Sequence, residues 1–271
     1  MGLRQCHIDQ LLDGDIALAG IPFDDHSSFL KGPAKAPELI IEAINSDSAN
    51  FFTEQMEDIS AESRIKWVGN ANLKGYWEIE THISSILSRE AIPFSIGGDH
   101  SVTYPIVKAM ARKYPELSIL HFDAHGDLYD VLDGNKHSHA CPFARIMENG
   151  LAQKLTQVGI RTMTRHQKEQ ADRFGVVVNY MKDRHQLKGL NLKGPVYLSF
   201  DMDVLDPSFA PGVSHHEPGG YSTREILDII QSLELNIVGL DLVEYNPDRD
   251  MNGMTSMVAA KIAKELLSLL I

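Results

Sequence analysis

Residues 120–127 read Leu120-His121-Phe122-Asp123-Ala124-His125-Gly126-Asp127. The stretch begins as an apolar β-strand and ends in polar side chains, with Asp123, His125 and Asp127 at positions i, i+2 and i+4. Because successive side chains of an extended backbone alternate between two faces, these three leave the chain on the same face. Carboxylates and imidazoles are metal ligands, so the pattern predicts a metal site where this strand ends.

Two other apolar strands end in residues of the same kind. Residues 92–96 run into GGDHS at 97–101, which contributes His100, and residues 196–198 run into SFDMD at 199–203, which contributes Asp201 and Asp203. In a parallel α/β sheet, ligands bind in the crevice outside the carboxyl ends of the strands. We therefore expect the three clusters to converge at one edge of a sheet.

Strand and helix patterns alternate along the chain. The apolar residues of 76–90 recur at helical spacing, for example, and a strand pattern over 92–96 follows directly. This alternation predicts an α/β protein with three layers, in which helices cover both faces of a central, mostly parallel sheet. No linker divides the sequence, so we expect a single domain over residues 1–271.

Composition excludes several partners. The net charge is −12 without a cluster of Lys or Arg, which argues against nucleic acid and leaves room for a small cationic substrate. No apolar run approaches the roughly 18 residues of a membrane span, and residues 1–5 lack the apolar core of a signal peptide. Cys6 and Cys141 are too few for a disulfide framework. We therefore expect a cytoplasmic protein.

The three clusters together supply more ligands than one divalent ion requires. Four carboxylates balance the charge of two dications, and an oxygen-rich set with some imidazole favours Mn²⁺-like ions over zinc. Two ions that share carboxylates can lower the pKa of a water and produce a nucleophilic hydroxide. The predicted cofactors are two Mn²⁺, and the predicted ligands are His100, Asp123, His125, Asp127, Asp201 and Asp203.

These motifs resemble the ureohydrolase family, which comprises arginases, agmatinases and their relatives. The resemblance extends over nearly the full chain and includes GGDHS at 97–101, DAHGD at 123–127, SHA at 138–140, SFDMDVLDP at 199–207 and LDLVEYNP at 240–247. A more specific similarity to plant-type arginases is carried by residues 130–148, by PGVSH at 211–215, and by Arg249-Asp250 before Gly253-Met254-Thr255. The resemblance implies an arginase-like fold, hydrolysis of a guanidino substrate to urea and an amine, and a homo-oligomer, either a trimer or a hexamer.

The resemblance also implies roles for individual residues. His100 and Asp127 would bind one Mn²⁺, His125 and Asp203 the other, and Asp123 and Asp201 would bridge the two. His139 matches the acid/base histidine of the family, although His137 could compete for that role. Glu244 matches the carboxylate that pairs with the guanidinium. We therefore expect His139, Asp127 and Glu244 to form the catalytic set.

The identity of the guanidino substrate is the remaining question. Arginine and agmatine share the guanidinium, but arginine adds an α-carboxylate that needs hydrogen-bond donors. The loop between Asp127 and His139 can reach that end, with Asn135, His137 and Ser138 as predicted substrate-binding residues. Their number favours L-arginine, which would give L-ornithine and urea. The alternatives are an agmatinase, which would convert agmatine to putrescine and urea, a hydrolase of a guanidino acid other than arginine, a non-catalytic metal-binding relative and a zinc deacetylase of similar fold.

Overall fold

A computed structural model describes residues 2–271, so Met1 of the N-terminal stretch discussed above lies outside them. Within these residues nine β-strands alternate with seven α-helices. The strands are β1 (Arg4–Gln5), β2 (Ile16–Gly20), β3 (Ile65–Asn70), β4 (Ile92–Ile96), β5 (Ser118–Phe122), β6 (Lys154–Ile160), β7 (Val177–Tyr180), β8 (Pro195–Asp201) and β9 (Asn236–Val243). The helices are α1 (Ala36–Ile44), α2 (Glu78–Leu87), α3 (Thr103–Lys113), α4 (Pro142–Glu148), α5 (Arg165–Phe174), α6 (Thr223–Gln231) and α7 (Met254–Ser268).

The strands form one sheet in the order β1-β3-β2-β4-β9-β8-β5-β6-β7. Every pairing between these strands is parallel. β4 and β5 are consecutive strands in the chain, yet β9 and β8 lie between them in the sheet. The carboxyl ends of these four strands therefore meet at the centre of one edge, where a change in strand order opens a crevice for ligands.

Hydrophobic side chains form a separate core on each face of the sheet. Leu120 and Phe122 of β5 belong to the core that α1, α6 and α7 cover, whereas Ile119 belongs to the core under α2, α3, α4 and α5. This alternation follows from the two-residue period of a strand. The strands are apolar on both faces because helices cover both of them. The predicted three-layer α/β/α fold is confirmed.

The sequence patterns missed the short edge strand β1 and several turns of 3₁₀-helix. One of those turns, at Met202–Val204, directly follows β8, and another, at His100–Val102, is separated from the end of β4 by three residues. They are too short to have a hydrophobic period of their own. In the described part of the chain, no helix has both the length and the apolar content needed to cross a membrane.

Candidate metal centre and active site

The polar clusters predicted from sequence meet at the carboxyl ends of β4, β5, β8 and β9. Asp123 follows the last residue of β5, Asp201 is the last residue of β8, and Glu244 follows the last residue of β9. Backbone hydrogen bonds hold neighbouring ends together, since the Glu244 N–H donates to the Gly98 carbonyl oxygen over 3.0 Å. Asp123, Asp201 and Glu244 are each less than 5% exposed.

Gly98 makes the end of β4 possible. Its φ of 89° lies in the left-handed region, and a Cβ there would come within 2.9 Å of the carbonyl oxygens of both Ile21 and Phe23. A larger residue would therefore be strained and would also push the end of β4 away from the loop that follows β2. That close approach fixes the 3₁₀ turn that carries His100.

His100 forms the centre of a first cluster. Its Nδ1 lies 3.2 Å from Oδ2 of Asp123, 3.2 Å from Oδ2 of Asp127 and 3.0 Å from Oδ2 of Asp201. Nδ1 is buried and forms no hydrogen bond of acceptable geometry with these oxygens. Three carboxylate oxygens thus lie within 3.2 Å of one imidazole nitrogen that has no hydrogen-bond partner.

The hydrogen bond of the other nitrogen of His100 indicates which ring nitrogen carries the proton. Nε2 lies 2.9 Å from Oγ of Ser199, and the Ser199 hydroxyl donates to Oδ1 of Asp241 over 2.7 Å. Asp241 also accepts from Tyr197 and Thr103, as an ionised carboxylate would. Because Ser199 gives its one hydrogen to Asp241, it accepts from Nε2–H of His100. In the neutral imidazole a lone pair on Nδ1 then faces three carboxylate oxygens. Such a donor set fits a hard divalent cation.

A second cluster surrounds His125. Its Nδ1 lies 2.9 Å from Oδ2 of Asp203 and 3.2 Å from Oδ1 of Asp123. Asp123 therefore directs one oxygen towards each cluster, which is what a carboxylate bridging two ions requires. Asp201 faces His100 through Oδ2, while its Oδ1 accepts the Asp203 N–H over 2.8 Å. The bridging role of Asp201 stays a prediction.

The buried carboxylates of the site repel one another. Burial raises the pKa of Asp201 well above its usual value, and the negative charges of Asp203 and Asp123 raise it further. Burial also raises the pKa of Asp203. Buried anions at this spacing are costly unless cations compensate them. Divalent ions would supply that compensation, and they would take the place of a proton on Nδ1 of His100, which has no hydrogen-bond partner.

His139 and Glu244 form a buried pair beside the acidic cluster. Nδ1 of His139 lies 3.0 Å from Oε1 of Glu244, and Nε2 lies 2.8 Å from Oγ of Ser28. The same Oε1 of Glu244 accepts the backbone N–H of His100 over 2.9 Å. Burial by itself would lower the pKa of His139, but the hydrogen bond and the charge of Glu244 raise it to about 9. Burial would raise the pKa of Glu244, and the contact with His139 instead lowers it.

Two of these residues have strained backbones. Asp127 has a φ of 48° and Glu244 a φ of 63°. Non-glycine residues seldom adopt left-handed backbone conformations, and such strain concentrates at functional sites where the surroundings enforce it. In both cases the strained residue is one that the sequence analysis selected.

A cavity of about 190 Å³ opens over both clusters. Its wall includes the candidate ligands His125, Asp127, Asp201 and Asp203, together with His139 and Glu244. The remaining lining residues are mostly ones that the sequence analysis did not select: Ser28, Tyr129, Leu132, Ala140, Thr162, Thr164, Gln167 and His215. Thr162, Thr164 and Gln167 follow the carboxyl end of β6, so the rule that ligands bind at strand ends could have identified them.

The start of α5 has polar groups available for a ligand. Thr164 is the N-cap, and its side chain accepts from the backbone N–H of Gln167. Gln167 is 5% exposed, and its Oε1 is buried without a hydrogen-bond partner among residues 2–271. A buried amide oxygen without a partner is unusual.

The three residues predicted to bind the far end of the substrate lie elsewhere. Asn135 closes a tight turn with Leu132, and its Oδ1 accepts the His137 N–H over 2.9 Å. The His137 ring stacks on Tyr104, with centroids 5.8 Å apart and an interplanar angle of 12°. Asn135, His137 and Ser138 are not among the lining residues of the cavity. Their substrate-binding role stays a prediction that this geometry does not favour.

Cys141 has no nucleophilic character in this setting. It is fully buried, and burial raises the pKa of its thiol to about 12. Because the thiolate is the reactive form, the thiol is inert near neutral pH.

A buried cluster of acids and histidines at strand ends, with a protonatable histidine beside a cavity, is the site of a metal-dependent hydrolase. The chain belongs to the arginase family, whose family model matches residues 14–268. It is 44% identical to "Arginase 1, mitochondrial" of Arabidopsis thaliana over 272 residues, which cover 92% of this chain and 79% of the relative. The protein is therefore an enzyme of the group that hydrolyses guanidino compounds.

Other relatives agree with this assignment. The structure of an arginase from Medicago truncatula matches with a TM-score of 0.86 and 42% identity, covering 94% of this chain and 87% of that one. The human "Guanidino acid hydrolase, mitochondrial" is 34% identical over 274 residues, which cover 93% of this chain and 77% of the relative. The predicted ureohydrolase resemblance is confirmed, including its plant arginase character.

The predicted cytoplasmic location is contradicted by the same comparisons. The matched arginases of Arabidopsis thaliana and Medicago truncatula have names that place them in mitochondria or, for one of them, in chloroplasts and mitochondria. The names of these relatives therefore give an organelle and not the cytoplasm. The prediction failed because two cysteines indicate a reducing compartment, and that condition does not identify the compartment.

Proposed function

We propose that the protein hydrolyses L-arginine to L-ornithine and urea with two Mn²⁺ ions. The observation that carries this proposal is the His139–Glu244 pair, which lies in the wall of a cavity that also exposes four candidate metal ligands. A metal-binding protein without catalytic activity has no need for a buried acid/base pair at that position. The plant arginase relatives support arginine as the substrate.

His100 and Asp127 would hold one ion, His125 and Asp203 the other, with Asp123 and Asp201 shared. The buried Nδ1 of His100, which has no hydrogen-bond partner, and the surplus of buried negative charge fit this assignment. When bound, two such ions activate water as a nucleophile near neutral pH. Asp127, as a ligand that also lines the cavity, belongs to the catalytic set.

Glu244 and His139 would act at the guanidinium end of the substrate. The buried Glu244 carboxylate supplies the anion that a guanidinium needs in order to enter a site beside two dications. As water adds to the guanidinium carbon and the bond to the departing nitrogen breaks, that nitrogen requires a proton. His139 donates Nδ1–H to Glu244, so Nε2 is the atom that exchanges the proton, next to the Ser28 hydroxyl.

The start of α5 would recognise the far end of arginine. Agmatine retains the amine of arginine and lacks its α-carboxylate, so discrimination between the two depends on donors for an anion. Unsatisfied N–H groups and the positive end of the dipole favour an anion at a helix N-terminus. Thr162 and Thr164 contribute hydroxyls at this end of the cavity, and Gln167 has an amide oxygen available for the α-ammonium.

A panel of three substrates tests the proposal, with urea release as the readout in the presence of Mn²⁺. L-Arginine carries both the amine and the carboxylate, agmatine only the amine, and 5-guanidinopentanoate only the carboxylate. We expect kcat/KM to be highest for L-arginine. A preference for agmatine would change the assigned substrate but not the assignment as a guanidino hydrolase. Absence of urea release from all three compounds would overturn the proposed function.

We also propose that residues 1–271 act as a single domain in a homotrimer or homohexamer. All nine strands belong to one sheet, which supports the single domain. Membership of the arginase family supports association with further copies, as the sequence resemblance implies. Light scattering of the purified protein tests the assembly, and a monomer at working concentration would contradict it.

A further inference from the structure

His121 is a buried histidine next to the metal centre that the proposed mechanism does not use. It lies on β5 opposite Gln157 of β6, and both side chains are fully buried. Nε2 of His121 lies 2.8 Å from Oδ2 of Asp123, the oxygen that also faces His100. His100, His121 and Asp123 are close enough together to hold a metal ion. His121 is thus either a seventh ligand or a residue that acts through Asp123.

The orientation of Gln157 decides between these roles. Its Nε2 lies 2.7 Å from the carbonyl oxygen of Gly126 and 3.1 Å from Nδ1 of His121. With the amide reversed, two oxygens that can only accept would face each other at 2.7 Å, so the nitrogen belongs in this position. One hydrogen of the amide then goes to Gly126 and the other to His121.

The tautomer of His121 follows from that contact. Since Gln157 donates to Nδ1, this nitrogen accepts and carries no proton. The single ring proton is then on Nε2 and points at Oδ2 of Asp123. Both nitrogens are occupied, one by an amide donor and the other by a carboxylate acceptor, so neither has a lone pair free for an ion.

We propose that His121 is a positioning residue that fixes the orientation of Asp123 for two ions, and that Gln157 fixes the tautomer of His121. This inference rests on the proposed metal-dependent function. The backbone N–H of His125 donates to Oδ1 of Asp123, and His121 donates to Oδ2. Each carboxylate oxygen thus has one fixed donor and keeps a lone pair for a metal. Partners of this kind around metal ligands commonly change metal affinity 10- to 100-fold.

Two variants of His121 and one of Gln157 test the proposal. His121→Leu removes the donor, while His121→Gln keeps an N–H near the position of Nε2. Gln157→Leu leaves the ring in place and removes the group that fixes the tautomer. Mn²⁺ affinity and stoichiometry are measured by calorimetry on the full-length protein after removal of bound metal, with circular dichroism as the check on folding.

We expect His121→Leu to bind Mn²⁺ about 10- to 100-fold more weakly with unchanged stoichiometry. His121→Gln should recover most of the affinity. Loss of one ion per chain in His121→Leu without recovery in His121→Gln would make His121 a ligand and overturn the proposal. Affinity equal to wild type in His121→Leu would also overturn it.

The ring nitrogens of His121 provide a second readout, independent of metal. In selectively ¹⁵N-labelled, metal-free protein, we expect Nδ1 to be unprotonated and Nε2 to be protonated, with the tautomers mixing in Gln157→Leu. A wild-type ring protonated on Nδ1 would contradict the proposal even if His121→Leu failed to fold. Wild-type protein that binds no Mn²⁺ would overturn the metal-dependent function itself, whereas Mn²⁺ binding without arginine hydrolysis would overturn the substrate alone.

Discussion

The Nδ1 atom of His139 and the Oε1 atom of Glu244 lie 3.0 Å apart, and the same oxygen accepts the backbone N–H of His100. One buried carboxylate therefore joins the acid/base histidine to the turn that carries a candidate metal ligand. A change at Glu244 should affect proton transfer and substrate charge together. Changes to the ligands themselves should affect metal content first.

Metal dependence is the first prediction. Chelation should abolish urea release, and Mn²⁺ should restore it with about two ions per chain, because the buried carboxylates balance two dications. Asp123→Ala removes the residue that contacts both clusters and should lower the content of both ions. Elemental analysis after dialysis measures this content, and full activity in metal-free protein would exclude the binuclear mechanism.

His139→Ala should lower kcat by about 10²- to 10⁴-fold, the usual contribution of a positioned acid or base. The Mn²⁺ content should stay at the wild-type level, because the hydrogen bonds of the His139 ring are with Glu244 and Ser28, and the ring packs on His215, none of which is a candidate ligand. His137→Ala is the matched control, since its ring packs on Tyr104 outside the cavity wall. If His137→Ala shows the larger loss in kcat, the two histidines have been assigned the wrong way round.

Glu244→Gln keeps the shape of the side chain and removes its charge. We expect kcat/KM to fall by the equivalent of about 2–5 kcal/mol, because the guanidinium would then be buried without an anion. The pKa of His139 should also fall, since the contact with Glu244 raises it to about 9. Steady-state kinetics with metal analysis measures the effect. Manganese loss in this variant would show that Glu244 is a ligand and not the partner of the substrate.

Gln167→Leu tests the far end of the cavity. The buried Oε1 of Gln167 has no partner within residues 2–271, so we infer that it accepts from the α-ammonium of the substrate. Loss of that bond should cost about 1.5–3 kcal/mol in kcat/KM for arginine. 5-Guanidinopentanoate, which is arginine without its amine, should be affected much less. Equal losses for both substrates would indicate a general packing defect.

Arg161→Lys concerns stability. The Arg161 guanidinium donates to the carbonyl oxygens of Asp203, Val204, Leu205 and Glu217, and so holds the segment after β8. A lysine cannot span these acceptors, so the free energy of unfolding should fall by about 2–4 kcal/mol. Arg224→Lys, in an exposed ion pair, is the control and should change it by less than about 1 kcal/mol. Urea denaturation compares the two, and equal small effects would show that Arg161 is dispensable.

The cluster of candidate metal ligands could be predicted from sequence because the signal is local. Asp123, His125 and Asp127 repeat at the period of a strand, and an apolar run directly precedes them. The sheet topology then brings His100 and Asp203 to the same place. The rule for strand ends supplies this convergence without coordinates.

The wall of the cavity could not be predicted in the same way. Gln167 and Thr164 are common residues at the start of a helix, and their sequence spacing matches ordinary capping. Conversely, Asn135 and His137 are near His139 in sequence, but a tight turn and aromatic packing hold them away from the cavity. Where a loop reverses direction, closeness in sequence to a site residue does not predict closeness to the cavity.

The role of His121 illustrates a further limit. Its place two residues before Asp123 identifies the face it shares with that ligand and gives no information about Gln157, which is on another strand. The register between β5 and β6 decides that His121 faces Gln157, and therefore which side chain donates to its ring. Sequence patterns of one strand at a time do not contain it.

The placement of β8 and β9 between β4 and β5 also determines when the site can exist. During synthesis, His100, Asp123, His125 and Asp127 leave the ribosome well before Asp201, Asp203 and Glu244. The middle of the sheet has to remain open until the C-terminal third of the chain has been made. A nascent chain therefore holds four of its six candidate metal ligands at strand ends whose neighbouring strands are still to be made, and we expect metal capture to follow translation.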